Sequence, residues 1–267
     1  MAEVQKAVAE DPDALLHDEV ESLAGQVLAA LAQRSGQSGR SLDDTLLEAF
    51  CADILRGGGA AGAQALAGLR RQGVDLGTVL DGYIPAAARA LGARWCEDEL
   101  SFADVTIGTA RLQAMLRELS APWVIDGTAA ADAPNVMIVV PADEHHTLGG
   151  MTAASQMRRM GLCVCLCLGL TEEEILKRVR DRDFDMIAIS LCCRQKLDSV
   201  RRLVTRLRAA ASRDDIPIVL GGFAVTGDED VCALTGADFA STDPKEALRH
   251  CGLRMSAPGP AERATRG

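Results

Sequence analysis

No apolar run in the sequence approaches the roughly 18 to 20 residues that a membrane-spanning helix requires. The opening stretch MAEVQKAVAEDPD also lacks a basic-then-apolar leader pattern. A soluble, cytoplasmic protein is expected. There are nine cysteines, yet no two stand at C-x-x-C spacing, which removes the usual zinc and dithiol motifs. In a chain this long they do not form a small secreted disulfide framework, and a reducing compartment fits them. Cys163, Cys165, Cys167, Cys192 and Cys193 fall in apolar runs and are expected as core residues, whereas Cys96 and Cys251 stand beside charged or polar residues and are the candidate thiol switches. Positive charge is also short: 28 Lys and Arg against 38 Asp and Glu leave a net charge of −10. Little intrinsic DNA affinity follows. The one basic stretch, Arg201 to Arg213, spaces Leu203, Val204, Leu207 and Ala210 as a helix does and reads as a solvated helix face. The glycines of RGGGAAG are not followed by Gly-Lys and a hydroxyl residue, so no phosphate loop is present there. With no nucleophile-and-base arrangement and no paired carboxylates, the chain is not expected to be an enzyme.

At 267 residues the chain is comfortable for two domains. From Leu15 to Leu119 the pattern is helical and rich in Ala and Leu, predicting helices at 15–33, 41–56, 60–72, 76–95 and 101–119. Ser41 and Ser101 each precede a carboxylate three residues on (Asp44, Asp104), and Asp75 is placed to cap the fourth helix. Residues 121–134, APWVIDGTAAADAP, lose this periodicity and read as a linker. Beyond it, short apolar runs (NVMIVV, LCVCLCL, MIAISL, IPIVLGG, DFAS) alternate with amphipathic stretches at 148–159, 171–181, 196–212, 228–235 and 243–251. That alternation predicts a parallel sheet covered on both faces. The domain reading is a tail at 1–13, a helical bundle at 14–120, the linker, an α/β domain of Rossmann or flavodoxin type at 135–254 and a tail at 255–267.

The most unusual stretch is PADEHHTLGG, residues 141–150, which holds two of only four histidines. In an open parallel sheet of order 2-1-3-4-5, ligands sit beyond the carboxyl ends of the first and third strands, where strand order reverses. The first strand runs directly into this polar loop and the third into Ser190, Leu191, Cys192 and Cys193.

Glu144-His145-His146-Thr147-Leu148-Gly149 resembles the E/D-x-H-x-x-G motif of cobalamin-binding domains. The Ser-x-Leu-like step and the Gly-Gly pair that complete that family's signature are matched by Ser190-Leu191-Cys192 and by Gly221-Gly222, with Cys192 standing where the family usually has an aliphatic residue or Thr. The motif selects His146 over His145 as cobalt ligand, because only His146 has a carboxylate two residues before it and a Gly three after. Glu144 is then the carboxylate that fixes the imidazole tautomer. The resemblance implies that Ser190 joins this relay, and that Thr147, Leu191 and the side-chain-free Gly149, Gly221 and Gly222 lie against the ligand. The alternative is a pair of loop histidines in a domain that binds something else.

In cobalamin proteins of this two-domain plan a helical bundle covers the upper corrin face. The segment LGARWCEDELSFADVTIGTARL resembles its signature helix pair, which implies that Trp95 lies over the upper axial position; an ordinary core Trp is the alternative. Where related photoreceptors carry Glu-His after the Trp, this chain has Val105 and Thr106. The upper position is thereby left to water, hydroxide or another exogenous group, which favours hydroxo- or aquocobalamin over adenosyl- or methylcobalamin.

Across residues 15–251 the chain resembles the AerR/PpaA-type antirepressors of photosynthesis genes. The resemblance implies a corrinoid-sensing, light- or redox-linked regulator of a DNA-binding transcriptional repressor. The acidic charge suits a basic partner. Two other functions share these motifs: a corrinoid methyl carrier of a methyltransferase system, and a haem sensor using His with Cys192 or Cys193.

Overall fold

The computed structural model describes residues 42–56, 58–125, 132–213, 215–222, 225 and 230–255. The expected helix at 15–33 and the cap at Ser41 lie outside them. Helices α1 (Asp44–Leu55) and α2 (Ala61–Arg71) are followed by a short turn α3 (Leu76–Thr78), then by α4 (Ile84–Cys96), α5 (Phe102–Ser120) and α6 (Pro122–Ile125). Asp43 caps α1 through Leu46 N–H. Ser101 and Asp104 form a reciprocal capping box at α5.

The stretch read as one helix at 76–95 is interrupted by a π turn at Val79–Tyr83. Pro85 has no N–H to return to the carbonyl of Asp81, and Ile84 N–H instead reaches Val79 O, which widens the turn. The linker differs as well. Its first residues form α6, and Trp123 is buried against the bundle, because an indole stabilises more by burial than an extended segment would by staying free.

The second half holds five strands among the described residues: β1 (Asn135–Val140), β2 (Cys163–Leu168), β3 (Met186–Ser190), β4 (Ile218–Gly221) and β5 (Phe239–Ala240). They form one parallel sheet of order 2-1-3-4-5. This is the flavodoxin-type order expected for this half. Helices α7 (Thr147–Arg159), α8 (Glu172–Asp181), α9 (Leu197–Ala210), α10 (Val231–Thr235) and α11 (Pro244–His250) complete it. Val136 and Ile138 of β1 pack with Ala154 and Met157 of α7 and Leu248 of α11. Met137 and Val139 point the other way, toward Ile175 and Val179 of α8 and Leu203 and Leu207 of α9. A central strand buried on both faces needs the unbroken apolar run that NVMIVV provides.

Helix α7 is shared between the two halves. Ala154 and Met157 face the sheet, while Leu148 and Met151 enter the apolar cluster of Phe50, Leu80, Leu112 and Leu116 in the bundle. Three polar contacts cross the same seam. Gln113 donates to Thr147 Oγ1 at 3.0 Å, Ser120 and Ser155 hydroxyls meet at 2.7 Å, and buried Arg159 pairs with Asp81 of the π turn while lying over the Trp123 ring. The basic residues of 201–213 lie mostly outward, as expected, and several are neutralised: Arg206 by Glu172 and Glu173, Arg208 by Asp238, Arg213 by Asp215.

Of the five cysteines expected in the core, only Cys167 is fully buried; Cys165, Cys192 and Cys193 are half-buried and Cys163 is exposed. For Cys163 and Cys165 the reason is that β2 is an edge strand, covered over only part of its length, while Cys192 and Cys193 lie beyond the end of β3.

Gly222 follows β4 with φ of 95°, and a Cβ there would stand 2.5 Å from the carbonyl oxygen of Leu191. Both the backbone angle and the neighbouring strand end therefore demand glycine. Gly222→Ala is expected to lower the free energy of unfolding by at least about 2 kcal/mol, measured by urea denaturation. An unchanged midpoint would contradict this packing.

Candidate functional site

The site begins where β1 stops. Pro141 ends the strand, Glu144 N–H returns to Pro141 O at 2.9 Å, and Thr147 N–H returns to His145 O at 3.0 Å. His146 stands at the centre of that second turn with φ −84° and ψ 72°, the geometry of an inverse γ-turn, and directly precedes α7. The chain is thus folded back so that both His146 and Glu144 project at the strand end.

Glu144 and His146 are brought together. One Glu144 oxygen, Oε1, accepts from His146 N–H at 2.9 Å and meets the ring Nδ1 at 2.7 Å. The other, Oε2, accepts from Cys192 N–H at 3.2 Å and lies 3.8 Å from Lys196 Nζ. The carboxylate is 1% exposed while the imidazole is 70% exposed, so one partner is anchored and the other is offered to a ligand. Burial pushes the Glu144 pKa up, but the hydrogen bonds from the His146 ring, the His146 N–H and the Cys192 N–H outweigh it and bring it to about 2. The His146 pKa is raised to about 10, by its hydrogen bond with the Cys192 side chain and then by that with Glu144. With Nδ1 engaged by the carboxylate, Nε2 is the ring nitrogen left for a metal, which takes the place of a proton there.

The other expected residues distribute unevenly. His145 is exposed, and its side chain makes no hydrogen bond or ion pair among the described residues. Thr147 is tied to the bundle by Gln113. Gly149 is exposed with open space where a Cβ would project, leaving its backbone accessible to a bulky ligand. The glycine pair after β4 has a different reason for being small than close approach to a ligand: Gly222 is fixed by the backbone of Leu191, and Gly221 is in ordinary contact with Ser241 O at 3.6 Å. Leu191 is fully buried among the helices of the opposite sheet face, and its N–H holds Gly221 O at 2.8 Å, tying the two strand ends together. Ser190 is half-buried and makes no hydrogen bond to Glu144 or His146 among the described residues; the Cys192 backbone, two residues on, fills that part.

At the bundle end, Trp95 is half-buried and packs at 6.3 Å, tilted by 60°, on Phe102, which is 71% exposed. The Trp95–Phe102 pair is thus a partly uncovered aromatic surface rather than core, which suits a flat ligand face. Thr106 spends its hydroxyl on Phe102 O at 2.8 Å.

Two contributors escaped the sequence reading. Lys196 donates to the carbonyl of Asp143 and pairs with the carboxylates of Asp143 and Glu144, clamping the loop from the turn after β3. Gly150 is the second: a Cβ there would meet Val140 Cγ2 at 2.6 Å, so glycine lets the first turn of α7 settle on β1. The Gly-Gly step was visible, but which glycine serves packing was not. No helix of the described residues is long and apolar enough to cross a membrane.

Residues that fix an imidazole by a buried carboxylate, leave its second nitrogen exposed and flank it with open backbone fit a metal-centred planar cofactor. Comparison with known proteins agrees. Residues 134–250 match the family model described as the B12 binding domain. A 20.5 kDa protein from the bchF-crtJ intergenic region of Rhodobacter capsulatus is 31% identical over 161 residues, which is 60% of this chain and 83% of that one. Among solved structures, the monomethylamine corrinoid protein of Methanosarcina barkeri aligns with a TM-score of 0.58 at 14% identity, covering 77% of this chain and 94% of that one, and supports the fold. A cobalamin-binding protein from Desulfitobacterium hafniense DCB-2 aligns with a TM-score of 0.40 at 20% identity, over 78% of this chain and 96% of that one. Residues 134–250 form a B12 binding domain, and the chain belongs to the same family as the Rhodobacter capsulatus protein from between bchF and crtJ.

Proposed function

We propose that the chain is a cobalamin-responsive antirepressor: His146, through Nε2, would hold the cobalt of a bound corrinoid, and ligand state would set the affinity for a DNA-binding transcriptional repressor. The observation that carries the reading is the Glu144–His146 pair at the end of β1, with the ring Nδ1 2.7 Å from the buried carboxylate; in the bundle, Val105 and Thr106 stand where the related photoreceptors carry Glu-His. When bound, the corrin supplies a cobalt centre that takes nitrogen ligands and whose axial ligation is visible in its absorption spectrum. The chain's own residues do the rest. Glu144 keeps the Nδ1 proton and so directs Nε2 outward; Cys192 N–H and Lys196 hold Glu144; Gly149 leaves room for the ligand; the Trp95–Phe102 pair would cover one face of it.

The absence of an upper protein ligand favours hydroxo- or aquocobalamin, with adenosyl- and methylcobalamin as the alternatives to be offered. The regulatory reading is supported by the AerR/PpaA-type resemblance, by the relative encoded between bchF and crtJ, and by the acidic charge, which suits a basic partner and repels DNA.

Two measurements test this. In spectral titrations with hydroxocobalamin, Glu144→Gln is expected to weaken binding by about 10- to 100-fold, and His146→Ala to remove the histidine-ligated spectrum altogether; wild-type spectra and affinity in His146→Ala would end the assignment. In pull-downs with the repressor, adding cobalamin is expected to change the affinity by at least about fivefold. Equal binding with and without cobalamin, together with methyl transfer in the presence of a cobalt-reducing partner, would make the chain a carrier instead, and a porphyrin spectrum in protein from a replete host would make it a haem sensor.

A further inference from the structure

Between the bundle and the edge of the sheet lies a cavity of about 350 Å³, whose residues take no part in the cobalamin site. Leu116 of α5, Val124 of α6, Met151 of α7 and Leu166 of β2 give it an apolar lining. Its polar lining is all of one kind. Arg117 and Arg158 bring its charge, Ser120 and Ser155 its hydroxyls, and no carboxylate lines it among the described residues. Neither arginine pairs with an acidic side chain among the described residues, whereas Arg159, the next residue along α7, is paired with Asp81. Arg158 is half-buried, donates only to a neutral carbonyl, Val164 O at 3.0 Å, and has its pKa pushed down by burial. A cation that has lost part of its water without gaining a counter-charge is a standing cost, which an anion in the cavity would offset. The serines add a further donor. Both are buried, and their hydroxyls meet at 2.7 Å, so one of the two protons is used between them. The other has no acceptor among the described residues.

We infer that this cavity is a second ligand site, which takes a small aliphatic monocarboxylate with its head on Arg158 and the spare serine hydroxyl and its chain against Leu116, Met151 and Leu166. A lining that offers only donors is answered by a head that only accepts, and a guanidinium matches a carboxylate with two parallel hydrogen bonds. One negative charge suits the cavity better than the two of a phosphate, because only one of the arginines is half-buried there and Arg117 is exposed at the mouth. The volume lies at the lower end of ligand pockets, which run from about 300 to 1,000 Å³, and so fits a chain of medium length. Such a ligand touches α5 and α6 of the bundle and α7 and β2 of the sheet half at once. It would bind across the seam that joins the two halves.

Calorimetric titration of the full-length protein at pH 7 with decanoate supplies the test, with decanol and decyl phosphate as comparison ligands. Decanoate is expected to bind once per chain, and decanol at least about tenfold more weakly, since it lacks the charge that Arg158 meets. Arg158→Gln should weaken decanoate by at least about tenfold and leave decanol unchanged, while Arg158→Lys keeps part of the affinity. Ala121 stands in the cavity wall, so Ala121→Phe should close the cavity and abolish uptake, whereas Ala121→Ser keeps it; each variant is checked for native circular dichroism. Decanol as tight as decanoate, decyl phosphate tighter than decanoate, or wild-type affinity in folded Arg158→Gln or Ala121→Phe would overturn the inference. So would a protein that takes up no decanoate, whether as a monomer or as a stable dimer that uses this face between copies.

Discussion

The molecule is organised around a buried negative charge. A carboxylate with 1% of its surface exposed is tolerated only when its oxygens are hydrogen-bonded, and Glu144 meets that condition with three hydrogen bonds, to the His146 ring, the His146 N–H and the Cys192 N–H, and a longer ion pair with Lys196. The partners come from three obligations of the fold. The two from His146 need the inverse γ-turn between β1 and α7; the one from Cys192 needs β3 to end beside β1; Lys196 needs the helical turn that follows. Satisfying one side chain therefore fixes the direction in which the imidazole faces. A ligand arriving at Nε2 meets a ring that requires no further ordering.

The same loop is coupled to the bundle. His146 precedes the first turn of α7, and Leu148 and Met151 of that turn are part of the bundle core, while Thr147 is held by Gln113. Further along, Ser155 and Arg159 reach Ser120 and Asp81. Helix α7 packs on the sheet with one face and on the bundle with the other, so the turn at His146 is continuous with contacts made by both halves. The Arg159–Asp81 pair sits at the π turn forced by Pro85, the one interruption in an otherwise regular helical stretch. This is where a ligand-dependent change in the bundle has least regular backbone to disturb.

Much of this was legible in the sequence because it is local. NVMIVV and MIAISL declare buried strands by composition, their alternation with amphipathic helices declares a parallel sheet, and the crossover order places two strand ends at one crevice. The meeting of Glu144 and His146 was legible for the same reason: two residues in one turn cannot stray far apart. What the sequence concealed depends on distant partners. Lys196 is 52 residues beyond Glu144 and carries no motif. Ser190 was expected in the relay, but a backbone N–H two residues later does that work, and backbone donors leave no mark on residue identity. Gly222 looked like room for a ligand and is room for Leu191. The cysteines of LCVCLCL looked like core because apolar composition does not distinguish a central strand from an edge.

The central claim is that the imidazole of His146, oriented by Glu144, supplies the lower axial nitrogen of a bound corrin. Electron paramagnetic resonance of the reduced, cobalt(II) cobalamin complex tests it most directly, because an axial nitrogen splits the cobalt lines according to its nuclear spin. The account predicts that protein labelled with nitrogen-15 in histidine converts each axial triplet to a doublet. Triplets that persist in the labelled protein would mean that the cofactor keeps its own base on the metal and that the Glu144–His146 pair is not its ligand.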